Sequence, residues 1–169
     1  MNGTMVDLLS GYLRGDNISE SKRTLGDLKN VFQGEAARAQ MSPATIVYEV
    51  QSHMAVKDGT PGGLFFGTSN VMPGQVGGEY FMTKGHYHAR RECGEYYWCI
   101  QGTGALILMD EAASAGSSRC SPAASTISPA TSRTASPIRA IRPCASARAG
   151  RPTRDMTMRP SLNMASPRG

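Results

Sequence analysis

The chain has 169 residues, a length that suits one domain. No apolar run approaches the roughly 18–20 residues of a membrane span, so no membrane association is expected. The start, Met1 to Asp16, has no basic segment ahead of an apolar core. A secretory signal is therefore not expected, and the cytoplasm is the expected compartment. The four cysteines, Cys93, Cys99, Cys120 and Cys144, show neither zinc spacing nor a dense scaffold pattern and read as free thiols.

The formal net charge of +5 averages two unlike pieces. Residues 1–111 hold 9 Lys+Arg against 12 Asp+Glu, a balance of −3; residues 112–169 hold 9 Arg, no Lys and one acid, Asp155, a balance of +8. All eleven aromatic residues lie at or before Trp98. The last 58 residues contain 12 Ala, 11 Ser and 7 Pro, with one Leu and no Val, so they lack the material of a core.

In chain order, Met5, Leu8, Leu9, Tyr12 and Leu13 recur at helical spacing, which predicts a short amphipathic helix over residues 4–14. Gly15, Asp16 and Asn17 end it. A further helical turn is expected between Ser19 and Phe32, with Leu25, Leu28, Val31 and Phe32 on one side. Pro43 opens a run of strand-like segments: Thr45–His53, Leu64–Met72, Glu79–His88, Glu95–Gln101 and Ala105–Met109. Turn signals separate them, among them Pro61-Gly62-Gly63, Pro73-Gly74 and Gly102-Thr103-Gly104. Short strands at this spacing predict a mainly β, antiparallel sandwich or barrel. After Glu111 neither periodicity continues, so residues 112–169 read as a disordered tail and the barrel as incomplete.

The chemistry concentrates between Pro73 and Gly104. Side chains at i and i+2 of a strand share a face, so His86 and His88 project together. Glu95 follows seven residues past His88 and opens the next strand. Two imidazoles and a carboxylate suit divalent Fe, Mn, Ni, Co or Zn. Glu92 is a rival to Glu95, which its distance to Gly102 favours. A lone His-x-His on a strand is weak by itself, and His53, standing alone, reads as structural or exposed.

His-x-His followed by Glu-x6-Gly is similar to the first metal motif of the cupin barrels. The longer stretch V-M-P-G-Q-V-G-G-E-Y-F-M-T-K-G-H-Y-H with G-E-Y-Y-W-C-I-Q-G-T-G resembles the cupin-type glucose-6-phosphate isomerases of archaea and some bacteria. The resemblance spans about residues 20–110. It implies a cupin fold, a double-stranded β-helix barrel, and interconversion of glucose 6-phosphate and fructose 6-phosphate. It implies His86, His88 and Glu95 as metal ligands, Glu95 also moving the proton between C1 and C2. Thr83 and Gly85 match the family's phosphate-binding positions, Ser69 stands where the family usually has Thr, and Tyr48 and Tyr97 match tyrosines lining the sugar. It implies a divalent metal, Fe2+ first, and a homodimer.

The chain departs from that pattern after residue 111. The family has a second motif with a fourth ligand histidine, and this chain has no histidine after His88. An offset reading frame behind Pro122 to Thr134 permits Pro-x4-His after a glycine, the shape of that second motif. A further family-like segment is permitted between Gly150 and Asn163. The tail is therefore read as an out-of-frame translation, with little activity expected of the product. Two rivals stand beside this: a non-catalytic cupin that binds metal or sugar, and an Arg-rich tail that grips nucleic acid, which, unlike the out-of-frame reading, leaves the sharp boundary unexplained.

Overall fold

A computed structural model describes residues 3–57, 60–86, 95–109, 115–122, 125–128, 133–135 and 144–150, with side chains described only as far as residue 122. The elements in chain order are β1 (Met5–Val6), β2 (Leu13–Arg14), β3 (Ile18–Thr24), α1 (Glu35–Ala39), β4 (Ile46–Met54), β5 (Phe65–Val71), β6 (Gln75–Val76) and β7 (Glu79–Tyr80). They continue with β8 (Glu95–Gln101), β9 (Gly104–Met109), β10 (Ala115–Cys120), β11 (Ser125–Ser128), β12 (Arg133–Ala135) and β13 (Cys144–Gly150). The chain is mainly β, as expected. The main sheet has six strands in the order β11-β8-β13-β5-β4-β3, every neighbouring pair antiparallel. A second sheet has the order β10-β9-β12.

Expected strands Thr45–His53, Leu64–Met72, Glu95–Gln101 and Ala105–Met109 match β4, β5, β8 and β9 to within a residue at each end. Of the expected strand Glu79–His88, Glu79–Tyr80 pairs with Gln75–Val76, residues 81–85 run without regular structure and His86 forms a single β-bridge; Tyr87 and His88 lie outside the described residues.

The N-terminal helix expected over 4–14 is corrected: this segment is a hairpin, with Met5 opposite Arg14 and Val6 opposite Leu13. Asp7 is the local cause. Its Oδ1 accepts from the backbone N–H of Leu9 at 2.9 Å and Ser10 at 3.3 Å, and its carbonyl accepts from Gly11 at 2.7 Å. An aspartate that satisfies the backbone locally competes with helix, and so short a helix has little stability of its own. Leu8 and Leu9 consequently stay exposed.

Residues 18–24 likewise form a strand, and residues 24–31 then make successive i→i+3 turns, through Asp27 to Thr24, Leu28 to Leu25 and Val31 to Leu28. The expected apolar side survives this change of element. Leu25, Leu28 and Phe32 are buried with Val47, Tyr48, Val71, Val76, Phe81 and Cys99 in one core cluster. Phe32 and Phe81 meet at 6.5 Å between ring centroids. Gly74 makes room for that contact, since a Cβ there would lie 2.5 Å from the Phe81 ring.

Within residues 112–169 the described stretches β10 to β13 are strands. β13 lies between β8 and β5, pairing with both. Strand edges present unpaired N–H and C=O groups, and backbone pairing to them needs no apolar alternation. A search for side-chain periodicity is blind to such strands.

Candidate functional site

Register sorts the predicted residues onto one face of the main sheet. Tyr48 faces Val71 and Val50 faces Ser69 across β4–β5. Ser69 and Cys99 share Ser146 as neighbour, and Gly67 and Tyr97 share Arg148, through the intervening β13. Residues directly opposite on adjacent strands point the same way, so Tyr48, Ser69, Tyr97 and Glu95 belong to one face. β8 alternates accordingly: Glu95, Tyr97 and Cys99 are buried, while Tyr96 and Trp98 are exposed.

At the start of β8, Glu95 is 4% exposed. Its Oε1 lies 3.6 Å from Nε2 of His86. Its Oε2 accepts a hydrogen bond from the phenol of Tyr97, two residues along the same strand. Gly85 precedes His86 with φ of +69°, a left-handed conformation that glycine enters without a steric penalty. Thr83 is half-buried on the irregular run that leads to His86. The third predicted ligand, His88, and the rival Glu92 lie outside the described residues.

The donor pair fits a divalent ion. Two donors about 2.1 Å from one ion, at angles between octahedral and trigonal, sit roughly 3.0–3.6 Å from each other. The Nε2–Oε1 separation of 3.6 Å is at the upper end of that range. Among the described residues no group of three His, Cys, Asp or Glu side chains comes together, as follows when the second histidine is outside them. The sequence reading missed one relation: it placed Tyr97 against a sugar and did not join it to Glu95. The i, i+2 spacing on one strand carries that signal.

A mainly β, antiparallel protein with an imidazole set against a buried carboxylate at the head of one strand is the class that fold and site define. Comparison with known families is more specific. The profile of the family described as glucose-6-phosphate isomerase (GPI) matches residues 22–115, more than half of the chain, and the chain belongs to that family. Glucose-6-phosphate isomerase of Thermococcus litoralis is 36% identical over 108 residues, covering 63% of this chain and 55% of that protein. The Thermococcus onnurineus enzyme is 39% identical over 108 residues, covering 63% and 54%, and that of Sinorhizobium medicae 36% over 106 residues, covering 61% and 48%. The chain thus spans about half the length of the curated relatives it matches. Among solved structures, oxalate decarboxylase of Bacillus subtilis aligns with a TM-score of 0.46 at 12% identity, over 63% of this chain and 26% of that one. Vicilin of Corylus avellana aligns with 0.47 at 13% identity, over 66% and 30%. Among the described residues no helix is long and apolar enough to cross a membrane.

Proposed function

We propose that this chain carries the first metal-binding half of a cupin-type isomerase site that interconverts glucose 6-phosphate and fructose 6-phosphate. The observation that carries the reading is the pairing of His86 with the buried Glu95 at 3.6 Å, within a segment matched by the family profile. His86, His88 and Glu95 hold a divalent metal, Fe2+ first, with Mn, Ni, Co or Zn as alternatives. The metal, when bound, supplies Lewis acidity that polarises the sugar carbonyl and stabilises charge developing on its oxygen.

Glu95 moves the proton between C1 and C2 of the open-chain sugar. A carboxylate beside the adjacent carbon suits that role, and its burial strengthens every charge interaction it makes. Ser69, Thr83 and the backbone at Gly85 bind the phosphate, hydroxyl and N–H groups holding a dianion without a full-charge partner. Tyr48 and Tyr97 line the sugar from the same sheet face. The intact protein works as a homodimer in the cytoplasm, with sugar phosphate as its small-molecule partner and no membrane or nucleic-acid partner.

The tail after residue 111 is an out-of-frame translation that has lost a fourth ligand histidine, and this product turns over little substrate. Isomerase assay with Fe2+ or Mn2+, of this chain beside a frame-restored version, tests the reading. Turnover by the restored protein, abolished by Glu95→Gln, is the expected result. A restored protein with metal bound but no turnover would leave only a binding module. An early stop codon in the offset frame of the DNA would sink the frame argument alone.

A further inference from the structure

The two oxygens of Glu95 are held differently. Oε1 faces His86 Nε2 at 3.6 Å, the separation of two donors on one ion. Oε2 accepts from the Tyr97 phenol. Both side chains are buried, Glu95 at 4% and Tyr97 at 9% exposure, and both stand on β8, whose backbone fixes their i, i+2 relation. An O–H···O− bond in such surroundings is charge-assisted and stronger than a neutral one.

We propose that Tyr97 is a positioning residue for the metal centre: by engaging Oε2 it leaves Glu95 to offer the ion Oε1 alone. The inference rests on the metal reading of His86 and Glu95 and adds a role for Tyr97 distinct from lining a sugar. A carboxylate free to rotate about its last torsion can close on an ion with both oxygens, which occupies a second coordination position and withdraws an oxygen from the substrate side. The phenol prevents this without adding charge. Residues that orient a ligand in this way typically change metal affinity by roughly 10- to 100-fold when removed.

The test is Mn2+ titration of the full chain, followed by the paramagnetic resonance signal of free Mn2+, with Tyr97→Phe and Tyr96→Phe compared. The first removes only the hydroxyl from an inward ring; the second removes it from the neighbouring exposed ring, 45% accessible. Tyr97→Phe is expected to weaken Mn2+ by roughly 10- to 100-fold and to alter the spectrum of the bound ion, with Tyr96→Phe unchanged. Mn2+ bound by Tyr97→Phe within about twofold of the parent, with the same spectrum, overturns the role of Tyr97 and leaves the metal site standing. Failure of the parent itself to bind Mn2+ overturns the metal reading and this inference together. A measurement on the unsubstituted chain guards against a variant that does not fold. With 13C-glutamate, binding of Mn2+ should widen the separation of the two carboxylate stretching bands, as one-oxygen ligation does; a narrowed separation overturns the proposal.

Discussion

Glu49 and Glu95 are two carboxylates on opposite faces of the same sheet, and each accepts a hydrogen bond from a tyrosine. Tyr12 of the N-terminal hairpin donates to Oε2 of Glu49, and Tyr97 donates to Oε2 of Glu95. Their other oxygens differ. Oε1 of Glu49 meets Lys22 Nζ at 2.7 Å, whereas Oε1 of Glu95 meets the imidazole of His86 at 3.6 Å. A lysine on the neighbouring strand neutralises its carboxylate, and the pair serves as a clasp. An imidazole is itself a metal donor, so in the proposed site the same carboxylate–phenol unit would supply part of a coordination set. The chemistry is decided by the second partner.

The clasp has a wider setting. Glu49 faces Asn70 and Lys22, and Gln51 faces Thr68 and Glu20 across the strands. The hairpin closes over these groups through Tyr12 and through the Leu13 N–H, which donates to Oε1 of Gln51 at 2.6 Å. Hydrogen bonding from Lys22 and then Tyr12 holds the Glu49 carboxyl below its usual range, while the same bond to Glu49, with burial, pushes the Tyr12 phenol up.

The largest separation of the two carboxylates should appear in metal binding. Glu95→Gln is expected to weaken Mn2+ by about 100-fold or more, beyond the roughly 10- to 100-fold typical of residues that only orient a ligand. Glu49→Gln should leave Mn2+ affinity unchanged. Calorimetric titration of the two variants checks this, and equal losses would break the contrast. Leu28→Ala, in the fully buried core, should cost about 2–5 kcal/mol by denaturant melts. Tyr12→Phe should cost about 1–2 kcal/mol, as a carboxylate loses one donor, without altering Mn2+ affinity.

A smaller effect concerns pH. Glu49 has a lowered folded-state pKa, so its contribution is complete above the unfolded glutamate value and is lost as pH falls through the folded one. Tyr12 has a raised value, so its contribution is complete below the ordinary tyrosine range and is lost as pH rises through the folded value. The Leu13 amide resonance should therefore hold constant between those limits and move at each end. Movement near neutrality would show that the hairpin is held by something other than this clasp. Smallest of all, Tyr96→Phe should leave melting temperature and metal affinity where they are, since its ring points away from the site.

Much of the strand framework was legible because β4, β5, β8 and β9 alternate or run apolar between glycine and proline turns. The site was legible in part. His86 and Glu95 carry donor chemistry in their identities, and the glycines around them frame the motif. The hairpin was misread because Met5, Leu8, Leu9, Tyr12 and Leu13 repeat with helical period while Asp7 ties the backbone into a turn. That competition is settled by hydrogen-bond geometry, to which a periodicity count is indifferent. The pairing of β10 to β13 is a backbone property, to which a side-chain pattern is indifferent.

What the residues alone determined is the mainly β class, the apolar set that fills the core and the donor types gathered around His86. Tertiary structure decided the rest. Pairing register placed Tyr48, Ser69, Glu95 and Tyr97 on one face, though they come from three strands far apart in sequence. It placed Glu49 on the other face, under a hairpin. Two glutamates with the same intrinsic chemistry acquired different partners, because an ionisable group takes its role from the charges and donors packed against it.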